Sequence, residues 1–230
     1  MRKIISIQGN KCSGKDTIAA FLKYLLEMPS WLHNYEFAKS VNFYSLNNKW
    51  YITRYAEKLK EVLAIILNVP IYKFEDRDFK ENSYYSFVDH CFTDTPRILS
   101  DVNFNRQLKK GNLDIFTEYD LSVRQILQAF GTDLMRRYLG DKLWINLTLN
   151  QNYDNMIIAD QRFITENEAV KSIPNTTIIH IIRPGYEAGK HPSEKELTKL
   201  YQKKEYDILI NNDGTLEDLF NKCKEILKLI

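Results

Sequence analysis

The sequence predicts an α/β protein built on a parallel sheet with helical crossovers, and three observations predict it. Short apolar runs alternate with amphipathic stretches along most of the chain. The opening passes from a β-branched run through a glycine loop into a helical pattern. Residues suited to ligand binding (Gly9, Asp160, Arg183 and Asn211/Asn212) stand at the C-terminal ends of the apolar runs. Strand–helix alternation favours parallel strands joined by right-handed crossovers, and open parallel sheets bind ligands at the C-terminal edge of their strands.

The elements follow in order. KIISIQ (3–8) has the composition of a short buried strand, punctuated by Gly9 and Gly14. From Lys15 the apolar residues Ile18, Phe21, Leu22, Leu25 and Leu26 recur on one helical face, and Pro29 ends it. WYITRYA (50–56) predicts a second strand and EKLKEVLAIILNV (57–69) an amphipathic helix closed by Asn68 and Pro70. Residues 71–120 are polar and aromatic with weak periodicity; their composition predicts short helices and mobile loops, an excursion over the site. Ser122 is a candidate cap for a helix carrying Val123, Ile126, Leu127 and Phe130. Gly131 is expected to interrupt it, with a second helical piece over 132–139 and another over 142–151. NMIIAD (155–160), TTIIHIIR (176–183) and YDILINN (206–212) predict strands; TENEAVKSI (165–173), SEKELTKLYQK (193–203) and LEDLFNKCKEILKL (216–229) predict helices.

Bulk properties narrow the function. With 230 residues the chain can bury a sizeable core as a single domain, 1–230, with 71–120 as a lid or substrate-side insertion. A net charge of +2 is too mild to argue for a nucleic-acid partner. Cys12, Cys91 and Cys223 are odd in number and widely spaced, which suggests neither a disulfide framework nor a zinc site and fits a reducing compartment. His33, His90, His180 and His191 form no metal-ligand spacing. No apolar run approaches the ~20 residues of a membrane span. A cytoplasmic protein without membrane association is expected.

GNKCSGKDT (9–17) has nearly the form of a phosphate-binding loop, Gly-x-x-x-x-Gly-Lys-[Ser/Thr], with Asp16 where a hydroxyl is expected and Thr17 one place later. Two glycines let the backbone curl and aim N–H groups inward, and the following helix adds its positive end. Lys15 supplies a flexible point charge for phosphates. Asp16 either binds a metal, directly or through water, or simply suits a helix N-terminus. Lys11 either reaches a second phosphate or is solvated. In IIADQRF (157–163), Asp160 ends a buried strand and Arg162 follows two residues later. Either the acid holds Mg²⁺ or a ribose hydroxyl and the arginine clamps a phosphoryl group, or the two form a plain strand-end pair. Arg124, Gln128 and Thr132 fall on one helical side. Trp144 stacks on a base or fills a core. Arg77 and Lys80 are surface charges unless their segment folds over a phosphate.

Taken together, GNKCSGKDT (9–17), LKEVLAIILNV (59–69), SVRQILQAFGTDL (122–134) with Trp144, IIADQRF with Glu166, IIHIIRPG (178–185) and ILINNDGTLEDLF (208–220) resemble the deoxynucleoside monophosphate kinases of tailed bacteriophages and related viruses. These stretches span almost the whole chain, and Gly-Lys-Asp-Thr is a trait of that family's loop. The resemblance implies a three-layer P-loop kinase fold and transfer of the ATP γ-phosphoryl group to a deoxynucleoside 5′-monophosphate with Mg²⁺. It implies Asn10, Lys11, Cys12, Ser13, Gly14, Lys15, Asp16 and Thr17 for ATP, and Asp16 and Asp160 for the metal. Around the acceptor it implies Lys11, Lys60, Arg77, Arg124, Gly131, Thr132, Trp144, Asp160, Arg162 and Glu166. Lys15, Asp16 and Arg162 would carry the chemistry, and a homodimer is compatible with the family. Two other readings keep the loop: a P-loop kinase of another phosphorylated acceptor, such as phosphomevalonate, and an ATP-binding switch without transfer.

Overall fold

The computed structural model describes residues 2–41, 46, 49–90, 105–110, 115–186 and 192–230. Cys91, His191 and residues 91–104 and 111–114 of the expected lid lie outside the described residues. In chain order the first elements are β1 (Lys3–Gly9), α1 (Lys15–Glu27), a 3-10 turn (Ser30–Leu32), α2 (Tyr35–Ser40), β2 (Trp50–Thr53) and α3 (Tyr55–Ile66). A 3-10 turn (Ile71–Glu75), α4 (Arg77–Asn82), β3 (Tyr84–His90), β4 (Asn105–Lys110), β5 (Ile115–Ser122) and α5 (Val123–Gln128) follow. A π-helical stretch (Ala129–Arg136) leads into α6 (Arg137–Leu139) and α7 (Leu143–Leu149). The chain ends with β6 (Asn155–Gln161), α8 (Ile164–Lys171), β7 (Thr176–Ile182), α9 (Pro192–Gln202), β8 (Ile208–Asn211) and α10 (Leu216–Ile226). Among the described residues no helix is long and apolar enough to cross a membrane.

The chain divides into two compact units, Met1–Tyr55 with Ile145–Ile230, and Ala56–Trp144. The first is the predicted α/β unit. Its five strands run parallel in the order β2-β6-β1-β7-β8. β1 is buried on both faces, which is why its sequence reads as a nearly continuous apolar run. Register places Gly9 beside Ile181, Gln8 beside Gln161 and Ile182 beside Asn211, so these strand ends share one edge.

One face of the sheet is apolar. Ile5, Ile7, Ile157, Ile179 and Ile181 pack with Ile18, Phe21 and Leu22 of α1 and Leu219, Phe220 and Cys223 of α10. Phe21 and Phe220 meet edge to face with centroids 5.2 Å apart, the geometry the ring quadrupoles favour. Burial pushes the Cys223 thiol up to about 12, so it behaves as a small hydrophobe. Segment 30–41, which apolar periodicity leaves unassigned, holds α2, started by Asn34 accepting the Glu36 N–H.

The other face carries a buried polar network. Asn167 Oδ1 accepts from Gln8 Nε2 at 2.9 Å and from Gln161 Nε2 at 2.7 Å, and the Ser6 hydroxyl donates to Gln161 Oε1. Gln8 Nε2 also donates to the Glu205 carbonyl at 3.0 Å, which fixes the amide so that its oxygen faces His180 Nδ1, 3.0 Å away. Buried polar groups are tolerable only when paired in this way. Burial, and secondarily the Lys15 charge, pushes His180 down to about 4, so the imidazole is neutral and donates from Nδ1. The network ties the residue before Gly9 to the residue before Arg162.

In the second unit, β3, β5 and β4 form an antiparallel sheet in that order. This corrects the expectation of short helices and loops throughout 71–120: 71–82 is helical, but 84–90, 105–110 and 115–122 are strands. Ser122 caps α5 as its sequence predicts, with a reciprocal bond from its own N–H to Gln125 Oε1. Gly131 does not interrupt the helix; the backbone continues through it in the wider π geometry. A Cβ on Gly131 would lie 2.6 Å from Leu59 Cδ2, so this glycine serves close packing against α3.

Candidate active site

The loop 9–17 leaves β1 at the C-terminal edge of the parallel sheet. A Cβ on Gly9 would stand 2.7 Å from the Ile181 carbonyl oxygen, so only glycine lets the loop start this close to β7. Gly14 has φ +105°, in the region that side chains avoid, and leads directly into α1. The Ser13 N–H donates to the Asn10 carbonyl at 3.2 Å, closing the turn. Three side chains brace the loop from outside it or along it. Asn212 Nδ2 donates to the Ser13 carbonyl at 2.8 Å, Arg183 Nη1 to the Cys12 carbonyl at 3.2 Å, and Asn10 Nδ2 to the Tyr186 carbonyl at 3.0 Å. Gly14→Ala would set a Cβ 2.7 Å from Asn212 Nδ2 and strain the backbone. It is expected to cost about 1–3 kcal/mol of stability and to weaken nucleotide binding, measured by thermal unfolding and calorimetry on the same variant.

Lys15 turns back into the loop. Its Nζ donates to the carbonyls of Gly9 and Asn10 at 2.7 and 2.6 Å, and the residue is only 7% exposed. Burial first, and the neighbouring Arg162 second, draw its pKa down to about 8; Asp16, Asp160 and Cys12 pull the other way. A buried cation held below its ordinary basicity gains most from an arriving anion.

The two acids implied for a metal lie around this lysine. Asp16 Oδ1 accepts from Arg54 Nε at 3.0 Å and Nη2 at 2.7 Å. Asp160 Oδ1 accepts the Tyr55 N–H at 2.7 Å. Arg162, the first residue after β6, has its N–H held by Glu166 Oε2 at 2.8 Å, and the same oxygen takes the Phe163 N–H at 3.0 Å. Glu166 is buried, so it orients the turn that carries Arg162 while also suiting the positive end of α8. The Arg162 guanidinium lies 3.8 Å from Glu194 Oε1, and Glu196 takes the Ile164 N–H at 2.9 Å. Lys11 and Thr17 are half-buried and Cys12 is exposed. The structure thus gathers 10–17, Asp160, Arg162 and Glu166 in one unit. Among the described residues no group of three potential metal ligands occurs.

The remaining candidates belong to the second unit. Lys60 of α3 pairs with Glu75 at 2.7 Å, and Arg124 of α5 pairs with Glu81 at 2.7 Å. Arg77 opens α4. Thr132 lies half-buried in the π stretch next to Gly131. Trp144 is buried, and its indole N–H donates to the Gly131 carbonyl at 2.9 Å.

Arg54, Glu194 and Glu196 escape the sequence reading. Arg54 follows the end of β2 and obeys the same rule as Asp160 and Arg183, a polar residue at a strand's C-terminal end, which is the one signal that could have found it. No local pattern marks Glu194 or Glu196 among the charges of α9.

A family model described as deoxynucleotide monophosphate kinase matches residues 58–223. The deoxynucleotide monophosphate kinase of Enterobacteria phage T4 is 28% identical over 250 aligned positions, covering 99% of this chain and all of that protein. The deoxynucleotide monophosphate kinase of Escherichia phage RB69 is 31% identical over 115 residues, 46% of this chain and 45% of its own. A relative from Acanthamoeba polyphaga mimivirus is 32% identical over 115 residues, 43% of this chain and 58% of its own. With an α/β parallel sheet, a glycine loop at its C-terminal edge and a family match over most of its length, the chain belongs to the deoxynucleotide monophosphate kinases.

Proposed function

We propose that this protein transfers the γ-phosphoryl group of ATP to the 5′-phosphate of a deoxynucleoside monophosphate, giving the diphosphate and ADP. The observation that carries this reading is Lys15. A lysine folded into a glycine loop on two main-chain carbonyls, with its charge raised in energy by burial and by Arg162, is built to meet a polyphosphate. An incoming phosphate replaces the two carbonyls as acceptor, while the N–H groups of the loop and of the first turn of α1 face the donor phosphates. Arg162 presents a planar fork to the group in flight, with its main chain anchored by Glu166. The acceptor oxygen is already anionic, so alignment and charge neutralisation supply most of the rate and no strong base is required.

Asp16 and Asp160 fit a magnesium ion that arrives with the nucleotide. Mg²⁺ uses one or two carboxylates and completes its shell with phosphate oxygens and water, which suits these two acids. When bound, the ion would neutralise charge on the nucleotide's phosphates. For the acceptor we assign Lys11 and Arg162 of the first unit as polar contacts, and the second-unit candidates Lys60, Arg77, Arg124 and Thr132 follow from the family resemblance alone. Trp144 contributes by fixing the Gly131 carbonyl beside Thr132, since its indole N–H is already used there.

The test is ADP release coupled to a spectroscopic readout, with Mg-ATP and each of dTMP, dGMP, dCMP, dAMP, UMP, AMP and phosphomevalonate. Turnover with one or more deoxynucleotides, dependent on the acceptor, is expected. Turnover with phosphomevalonate alone would move the chain to another acceptor class, and ATP consumption indifferent to every acceptor would leave a switch.

A further inference from the structure

Resting on the kinase reading above, one arginine outside the expected site holds one of its acids. Arg54 uses two N–H groups on a single oxygen of Asp16, at 3.0 and 2.7 Å. An sp² carboxylate oxygen has two lone pairs, so both acceptor positions of Asp16 Oδ1 are taken. The Asp16 side chain is 71% exposed while that of Arg54 is 21% exposed, so the arginine is the anchored partner and the acid stays reachable from solvent. The next residue repeats the theme with the main chain, since the Tyr55 N–H, at the start of α3, donates to Asp160 Oδ1. The two residues that follow β2 therefore engage both carboxylates that suit the metal. A divalent cation drawn to Asp16 meets a guanidinium already seated there, and the two positive charges repel at such separations.

We infer that Arg54 is a positioning residue that serves as the built-in counter-ion of Asp16, holding the carboxylate until Mg²⁺ and nucleotide bind and then giving it up, so that arginine and metal alternate on one acid. The exchange keeps the acid oriented and neutralised beside Lys15 between turnovers. It also makes part of the metal's binding free energy go into displacing Arg54.

The readout is the ratio of ADP affinity in saturating Mg²⁺ to ADP affinity in EDTA, measured by calorimetry on the full chain. Taking the ratio cancels any direct effect of Arg54 on phosphate that is common to both conditions. Arg54→Gln is expected to raise the ratio about two- to fivefold, the range that removal of an exposed ion pair supports. In an Asp16→Asn background the same substitution is expected to leave the ratio unchanged, because there is no carboxylate to contest. An unchanged or lowered ratio in Arg54→Gln overturns the exchange, and so does an equal rise in both backgrounds, which would mark a long-range field effect. In either case a wild-type ratio well above one leaves the kinase reading standing. A wild-type ratio of one removes the metal role of Asp16 and the exchange with it.

Discussion

Lys15→Gln is expected to lower kcat/KM for phosphoryl transfer by about 10²–10³, the loss typical of removing one preorganised charge from a transition state, and to do so without unfolding the protein. Lys15 is buried on two carbonyls, and a glutamine amide keeps a donor in the loop. The stability effect has the opposite sign to the activity effect. The folded-state pKa of Lys15, about 8, lies below its ordinary value of 10.5. Between those two values the unfolded chain binds more protons, so stability rises with pH through that window. Below pH 8 both states hold the proton, and the whole cost of burying the charge is present. At pH 7 the variant should unfold at a temperature equal to or above the wild type's, with the advantage fading as pH rises from 8 towards 10.5. This is the exchange of stability for function expected where a charge is kept in a site for its chemistry.

The same lysine gives nucleotide binding a pH signature. Phosphate beside Lys15 favours the protonated form and raises its pKa, so binding takes up a proton wherever the free protein has lost it. Affinity for ADP should fall as pH rises above about 8. Calorimetry at pH 8.5 in two buffers of different ionisation enthalpy should show net proton uptake that disappears in Lys15→Gln. Uptake that persists in the variant would assign the proton to another group.

Most of the parallel unit was legible because its physics is written locally. Strands buried on both faces read as apolar runs, as in NMIIAD and TTIIHIIR. The antiparallel sheet was not legible. NRQLKK carries one apolar residue in six, and its pairing with IFTEYDLS is set by a partner strand rather than by its own pattern. Glycine weakens helices, so the sequence suggests a break at Gly131, yet the helix runs on through it and packs there against Leu59, some seventy positions earlier. The phosphate loop and Asp160–Arg162 were visible because strand ends of a parallel sheet concentrate ligand contacts. Arg54 reaches Asp16 across 38 positions, and Gln8, Gln161 and Asn167 resemble misplaced polar residues until the fold pairs them. Contacts of that kind are made by topology and leave no periodic trace.

Arg162→Ala is expected to lower kcat by about 10²–10³ with the fold retained, because Glu166 holds the main chain at this position and does not depend on the side chain. Arg162→Lys should recover little of the loss, since an ammonium is a point charge and cannot reproduce a planar two-pronged contact. A second consequence reads the position of the guanidinium without any turnover. Arg162 is one of the causes that hold Lys15 near 8. Deleting its charge should raise the Lys15 pKa and shift the alkaline fall of ADP affinity to higher pH. Lys in place of Arg keeps a charge near Lys15 and should leave that fall closer to its wild-type position, so the pH profile and the turnover separate charge from geometry. Near-normal kcat in Arg162→Ala would remove the arginine from the transferring group. An unshifted pH profile would place its charge too far from Lys15 to share a phosphate with it. Loss of turnover together with a raised alkaline limit would put both cations on the same polyphosphate.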